Sequence, residues 1–357
     1  MRSSPRKSRD WSTACSTGWH TICGPRRWGV PVAAKPLGEF ARIARFFAPL
    51  ALPGGLALRD DVALIAGRHG EQYVLKADAI VEGIHFFPDD PPGDVARKLL
   101  RVNLSDLAAK GATPVGYLLT MALPKARDDR WLAAFARGLA ADQRKYRLGL
   151  FGGDSDATRG PTVLSLAAIG RVAKGRAVLR SGARPGDVVY VSGTLGDAAL
   201  GLAVITGRLK GIGPAARRYL ARRYRLPEPR LELGRRLAGV ARAAADISDG
   251  LVADLGHVCA ASGVGAIVEA ARVPLSVAAH QVIARSPRRI RAALIHGDDY
   301  ELVFTAPAAA AARVAAAARA AGVRVTAVGR VVEGHAVRVL DARGRAMRFG
   351  RTGYRHF

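Results

Sequence analysis

The sequence predicts two domains, each mixing strands with helices, α/β or α+β in class. Three observations lead there. At 357 residues the chain is long enough for about two domains of roughly 150 residues each. Short apolar runs alternate with helix-length amphipathic segments in both halves. Between the halves lies a run of turn-forming residues, Gly182-Ala183-Arg184-Pro185-Gly186-Asp187, which marks a boundary near 175–185.

Taken in order, residues 1–34 carry Ser, Arg, Trp and Pro without a period and without an apolar h-region, so they are not a secretory signal. They read as a disordered basic arm or as a start codon assigned too far upstream, and the second is the favoured reading. An amphipathic helix follows over 35–48, with Phe40, Ile43, Ala44 and Phe47 on one face. Strands are expected at 62–66, 73–77, 115–123 and 163–171, with helices at 94–111 and 128–146. After the boundary, a strand at 188–192 opens the second half. Helices are expected there at 196–206, 229–243 and 250–261, with strands at 266–268, 300–305 and 325–332. The Ala-rich stretch 307–321 favours helix. The division is thus an extension over 1–34, an N-terminal domain over 35–178 and a C-terminal domain over 179–357.

Composition narrows the function. The formal charge is +26, which fits a nucleic-acid binder but is better explained by a genome-wide bias toward Arg and Ala codons. The positive charge is nearly all Arg and spread along the whole length, and no homeodomain, zinc-finger or RNP-like pattern accompanies it. No nucleic acid is therefore expected as a partner. No apolar run reaches membrane-spanning length. Cys15, Cys23 and Cys259 are too few and too scattered for a disulfide framework or a zinc site, so a cytoplasmic location is the expectation. The patterns GxxxxGK[ST], HRD and GxSxG are missing, so a nucleotide would be held in a metal-rich mode.

Against this basic background the acidic residues fall in glycine-flanked blocks: Asp60-Asp61, Asp78, Asn103-Leu104-Ser105-Asp106, Gly152-Gly153-Asp154, Asp246-Ile247-Ser248-Asp249 and Gly297-Asp298-Asp299-Tyr300-Glu301. Carboxylates at turns and element ends suit hard cations and the phosphates they carry. Asp106 falls on a helical stripe with Leu99, Asn103 and Lys110. It reads either as a metal ligand or as half of a solvated Asp106–Lys110 pair. Asp249 reads as the N-cap of the helix that follows, but three oxygen ligands within four residues exceed what a cap needs. The amides of that helix N-terminus also favour phosphate. Gly152-Gly153-Asp154 reads as a turn that lets backbone approach a ligand. Of the eight histidines, His85 and His296 lie beside acidic blocks.

In family order, the segments PLGEFARIARFF (36–47), DDVALI (60–65), ADAIVEGIHF (77–86), VNLSDLAAKGA (102–112), FGGDSDATRGP (151–161), RSGARPGD (180–187), DISDGLVADLGH (246–257), HGDDYEL (296–302) and GYRHF (353–357) resemble the bacterial thiamine-monophosphate kinase family. That family is similar to aminoimidazole ribonucleotide synthetase, selenophosphate synthetase and the hydrogenase maturation factor. The resemblance implies an N-terminal α/β domain that binds ATP and Mg²⁺ and pairs its sheet across a homodimer, followed by a C-terminal α+β domain. It implies transfer of phosphate from ATP to thiamine monophosphate, giving thiamine diphosphate, with several Mg²⁺ ions in the cleft. Carried over by motif, Asp61, Asp78, Asp106, Asp154, Asp246 and Asp249 would ligate Mg²⁺. Gly153, Asp154, Arg180 and Ser248 would hold ATP, while His85, Asp298 and Tyr354 would lie near the thiamine phosphate or its rings. The attacking group is a phosphate oxygen whose second pKa is near 6, so no residue is expected to act as general base.

The chain departs from the family pattern in three places. Arg59 stands where Gly usually precedes the paired Asp, Lys76 and Ala77 replace hydroxyl residues, and Asp298 replaces a Glu. The nearest alternative is another ATP-using member of the same superfamily. Selenophosphate synthetase would carry a reactive Cys or selenocysteine in an N-terminal glycine-rich stretch, and the maturation factor a C-terminal Cys. The chain has neither, ending in Arg355-His356-Phe357. A basic nucleic-acid-binding protein that keeps the fold is the more distant alternative, since clustered Asp would repel a phosphate backbone.

Overall fold

The computed structural model describes Ala41, residues 43–68, residues 70–350 and Gly353. The extension 1–34, residues 35–40 and 42 of the expected helix 35–48, and Tyr354 lie outside the described residues; Ile43–Phe47 forms a π-helical turn and Ala48–Leu50 a 3-10 turn, with no residue of either buried. Two sheets organise the rest. The first holds β1 (Ala63–Ala66), β2 (Glu71–Val81), β3 (Thr113–Leu123), β4 (Gly149–Ala157) and β5 (Val163–Ala173) in the order β1-β2-β5-β3-β4. Its β3–β4 pair is parallel and the other neighbours are antiparallel. The second holds β6 (Val188–Ser192), β7 (Ala243–Asp246), β8 (Gly265–Glu269), β9 (Leu302–Ala306), β10 (Val325–Val332) and β11 (Val337–Leu340) in the order β11-β8-β10-β6-β9-β7. Here β8 and β11 run parallel and the other pairs antiparallel.

Helix α1 (Pro92–Ala109) lies on one face of the first sheet, and α2 (Asp129–Tyr146) packs on α1. Pro92 starts α1 with a φ already suited to a first turn. Fourteen of its eighteen residues are buried, because it is enclosed by the first sheet, α2, β7 and α5 (Leu231–Leu237). The start of α2 is fixed by Asp128, whose carboxylate accepts from the Trp131 amide at 2.9 Å. Period-two alternation sends Val74, Ile80, Leu164, Leu166 and Leu119 into the core under α1. The opposite face of the first sheet is open, with Ile65, Tyr73 and Leu118 exposed.

The expected strands fall where the pattern places them, as does the Ala-rich helix, which forms Ala311–Ala321. The expected helix at 229–243 is instead short, Leu231–Leu237, and the chain turns through Gly239 at φ 79° into β7. Ala243, Ala244 and Ala245 are buried inside the second sheet, so burial between neighbours overrides the helical preference of alanine. Residues 149–157 form an edge strand rather than the expected turn. Helices α4 (Pro214–Arg225) and α7 (Val277–Arg285), together with β11, had no expectation attached to them.

Candidate active site

A cleft of ≈ 890 Å³ is lined by Asp61, Asp78, Asp106, Asp246, Ser248, Asp249 and Asp298, together with His85, Arg180 and Gly353. These residues come from both halves of the chain. Asp61 precedes β1, Asp78 is on β2, Asp106 is in α1 and Asp246 ends β7. Ser248 and Asp249 sit in the turn before α6 (Leu251–Ser262), and Asp298 lies in the segment leading to β9.

Helix α1 holds much of this together through side chains spread along its length. Asn103 accepts from the Asp78 amide at 3.0 Å and so fixes β2 beside the helix. The Ser105 hydroxyl donates to the Tyr300 carbonyl at 3.5 Å. Buried Lys98 donates to the His85 carbonyl at 2.8 Å, lies 3.7 Å from Asp298 Oδ2 and sits over the Tyr224 ring. Buried Lys110 bonds Asp60 at 2.8 Å and Asp61 at 2.9 Å. The alternative reading of a solvated Asp106–Lys110 pair is therefore not what forms. Asp106 is buried and meets Lys76 instead, at 3.2 Å.

Ligand oxygens of Asp61, Asp106 and Asp246 all lie within 4.8 Å of one another. Packing three carboxylates so closely has electrostatic consequences. Burial and the nearby Asp246 charge push Asp106 well above the usual carboxylate range. Burial and the Asp61 charge raise Asp246 to about 6. For Asp61, burial works upward, but Lys110 and Arg180 outweigh it and hold the carboxyl below its ordinary value. Arg180 forks onto both oxygens of Asp61. Asp246 Oδ2 is buried and has no hydrogen-bond partner, which is costly unless something else meets it. Oxygen ligands from three separate elements, one of them orphaned, form the donor set that Mg²⁺ takes, so these residues fit such an ion.

A strained segment beside the 246–249 block also shapes the cleft. Asp298 and Tyr300 have φ of 70° and 51°, a left-handed backbone that costs non-glycine residues energy and concentrates at functional positions. The strain is held by Asp298 N donating to the Ser248 carbonyl and Tyr300 N to the Ile247 carbonyl, both at 2.9 Å. A Cβ on Gly297 would run into the Ser248 carbonyl, so this approach requires glycine. His85 Nδ1 accepts from the Val81 amide at 3.0 Å, which orients its ring. Arg208, Arg288, Arg289 and Arg291 also line the cleft.

Asp249 does not cap α6. The N-cap position is Gly250, and Asp254 reaches back to accept from the amides of Asp249 and Gly250 at 3.0 Å each. Asp249, Asp254 and His257 offer ligand atoms within 4.8 Å of one another. Burial and then Arg180 lower His257 to about 4, so its ring is neutral.

Asp154 and Gly153 do not line the cleft. The register runs Asp78↔Leu166, Leu166↔Leu119 and Leu119↔Gly153, three strand spacings or roughly 14 Å. Asp154 pairs with Thr120 on the open face and is exposed. Gly153 has a packing reason of its own, since a Cβ there would collide with the Leu119 carbonyl. Arg59 is exposed and outside the cleft lining. Sequence reasoning missed the cationic partners of the acidic blocks. Lys76 was visible as a departure, and its spacing of two from Asp78 put both on one face of β2. Nothing in the local pattern pointed to Lys110 as a partner of Asp61 or to the arginines at 288–291.

The chain is similar to known proteins over most of its length. Residues 59–172 match the family described as AIR synthase related protein, N-terminal domain, and residues 184–342 its C-terminal domain. A thiamine-monophosphate kinase of Caulobacter vibrioides is 42% identical over 329 residues, covering 91% of this chain and 92% of its own length. The solved structure of AaThiL complexed with AMPPCP and TMP superposes with a TM-score of 0.81 at 30% identity, covering 92% of this chain and 100% of that one. The thiamine-monophosphate kinase of Stenotrophomonas maltophilia K279a gives 0.72 at 41% identity, covering 81% and 90%.

Proposed function

We infer the reaction from kinship and cleft together: the chain belongs to the thiamine-monophosphate kinase family, and it phosphorylates thiamine monophosphate to thiamine diphosphate at the expense of ATP. The observation that carries the chemistry is the convergence of Asp61, Asp106 and Asp246, with a buried, unpartnered oxygen on Asp246.

In this reading Asp61, Asp78, Asp106, Asp246 and Asp249 hold Mg²⁺. Arg180 and Ser248 contact ATP, and His85 and Asp298 lie near the thiamine phosphate. When bound, Mg²⁺ neutralises phosphate charge and polarises the transferring group. The residues do the rest. Both reactants are polyanions, so the main barrier to meeting is repulsion. Arg180, fixed by Asp61, presents cationic charge to the cleft, as do Arg208, Arg288, Arg289 and Arg291. A monophosphate ester is largely dianionic at neutral pH, so attack needs alignment rather than proton removal. The strained 298–300 segment sets the position of the acceptor.

The same reading places the domain division at 178/179, puts the enzyme in the cytoplasm and makes it a homodimer. No described helix is long and apolar enough to cross a membrane. The dimer would use the open face of the first sheet, where Ile65, Tyr73 and Leu118 are exposed; a contiguous apolar face of this kind marks an interaction surface. It would also give Asp154 and Gly153 a role, by presenting β4 to the cleft of the second copy. The deciding experiment is ADP release with Mg²⁺ and ATP, comparing thiamine monophosphate, thiamine, aminoimidazole-type ribonucleotide substrates and selenide. Release with thiamine monophosphate alone is expected; release with thiamine but not its monophosphate would overturn the acceptor assignment.

A further inference from the structure

The carboxylate junction already contains a cation of its own. Lys76 Nζ lies 3.1 Å from Asp78 Oδ1 and 3.2 Å from Asp106 Oδ2, with its side chain 14% exposed. It thus bridges β2 and α1, two elements that otherwise present like charges to each other. Lys76 and Asp78 are two apart on β2, so the strand itself sends both side chains to the face that Asp106 meets. An ammonium carries three donors on one point charge. It is ion-paired with these two carboxylates and also lines the cleft, so it has N–H donors to offer a ligand there.

We propose that Lys76 is a resident monovalent cation that takes the place of one divalent ion between Asp78 and Asp106, with an N–H directed at a phosphate oxygen of the bound nucleotide. The proposal rests on the reading of this cleft as an Mg²⁺–ATP site. Its physical basis is exclusion. A divalent ion bridging the same two oxygens would sit at about 2.0–2.1 Å from each, in the space the ammonium occupies, and two cations there would repel. Removing the ammonium while keeping a small hydroxyl opens that position and restores an oxygen ligand. Removing it with an apolar side chain of similar length opens the charge but not the space.

The test is a Mn²⁺ titration followed by electron paramagnetic resonance, with a non-hydrolysable ATP analogue present. It compares the unmodified protein with Lys76→Thr, Lys76→Arg and Lys76→Met. Lys76→Thr is expected to bind about one further Mn²⁺ per chain, while Lys76→Arg keeps the unmodified stoichiometry. Thermal unfolding gives a second readout: Mg²⁺ should raise the melting temperature of Lys76→Thr by more than that of the unmodified protein, even if the metal-free variant is fragile. Equal stoichiometry and equal Mg²⁺ shifts in Lys76→Thr and the unmodified protein would overturn the proposal, as would an extra ion in Lys76→Arg. Asp106→Asn separates the two levels. If it leaves Mn²⁺ binding untouched, the metal-site reading itself fails; if it lowers binding while Lys76→Thr changes nothing, the resident-cation inference alone is lost.

Discussion

Two acidic motifs that look alike in the sequence end in opposite surroundings. Asp106, in NLSD, is buried on a helix enclosed by both halves of the chain, with Lys76 and two further carboxylates around it. Asp154, in GGD, stands exposed on an edge strand, bonded only locally among the described residues, to the amide of Ser155. The first motif is completed by its own chain. The second faces the open side of a sheet, where in our reading a second copy completes it. An acidic motif in the sequence thus reports a ligand type; the register and the covering of the sheet report whose site it serves.

Breaking the enclosed motif should have the largest effect. Asp106→Asn should lower turnover by roughly 10²–10³-fold while the protein stays folded, read as kcat under saturating Mg²⁺ and ATP with circular dichroism as the control. Near-normal turnover would remove Asp106 from the site. The charge balance of the same region is sharpened by Lys110→Met. This leaves Asp60 without its ammonium partner and Asp61 with Arg180 alone, and should cost about 3–5 kcal/mol in urea unfolding, whereas a loss within error would show that Arg180 alone suffices.

The pH response should follow Asp246. Without metal, the folded protein keeps the Asp246 proton up to about 6, whereas the group ordinarily titrates at 3.8. The native state therefore binds the extra proton between those values, so this group's contribution to stability falls as pH rises across that window and levels off above it. Mg²⁺ must displace the proton, so its affinity should rise over the same interval. Calorimetric Mg²⁺ titrations at about pH 5 and about pH 7 check the direction; tighter binding at the lower value would contradict it. The smallest effect is expected from deleting residues 1–34, which should leave kinase activity unchanged in the same ADP-release assay.

Much of the fold was legible because hydrophobic period and turn residues agree along most of the chain. The strands at 73–77 and 163–171 and the helices at 94–111 and 128–146 fall where periodicity puts them. Alanine was the weak point: Ala243–Ala245 and the Ala-rich 311–321 share composition, yet one is a buried strand and the other a helix. What separates them is neighbours, which a local window cannot see. The candidate site was legible in its acids but not in its cations. Aspartates cluster in motifs, while Lys76 and Lys110 are single basic residues, and Arg288, Arg289 and Arg291 are one short basic run, in a chain full of basic residues. Only spatial convergence distinguishes them from solvated charge. The capping of α6 was misread for a similar reason, since Asp254 acts backwards across a turn that Asp249 only adjoins.

The contrast between the two motifs is tested most directly by mixing two inactive variants, Asp106→Asn and Asp154→Asn, refolded or co-expressed together. If Asp154 serves the cleft of the second copy, a mixed dimer carries both defects in one site and none in the other, and statistical pairing restores about one quarter of normal turnover. No recovery in dimers shown to contain both chains would mean that Asp154 acts within its own chain.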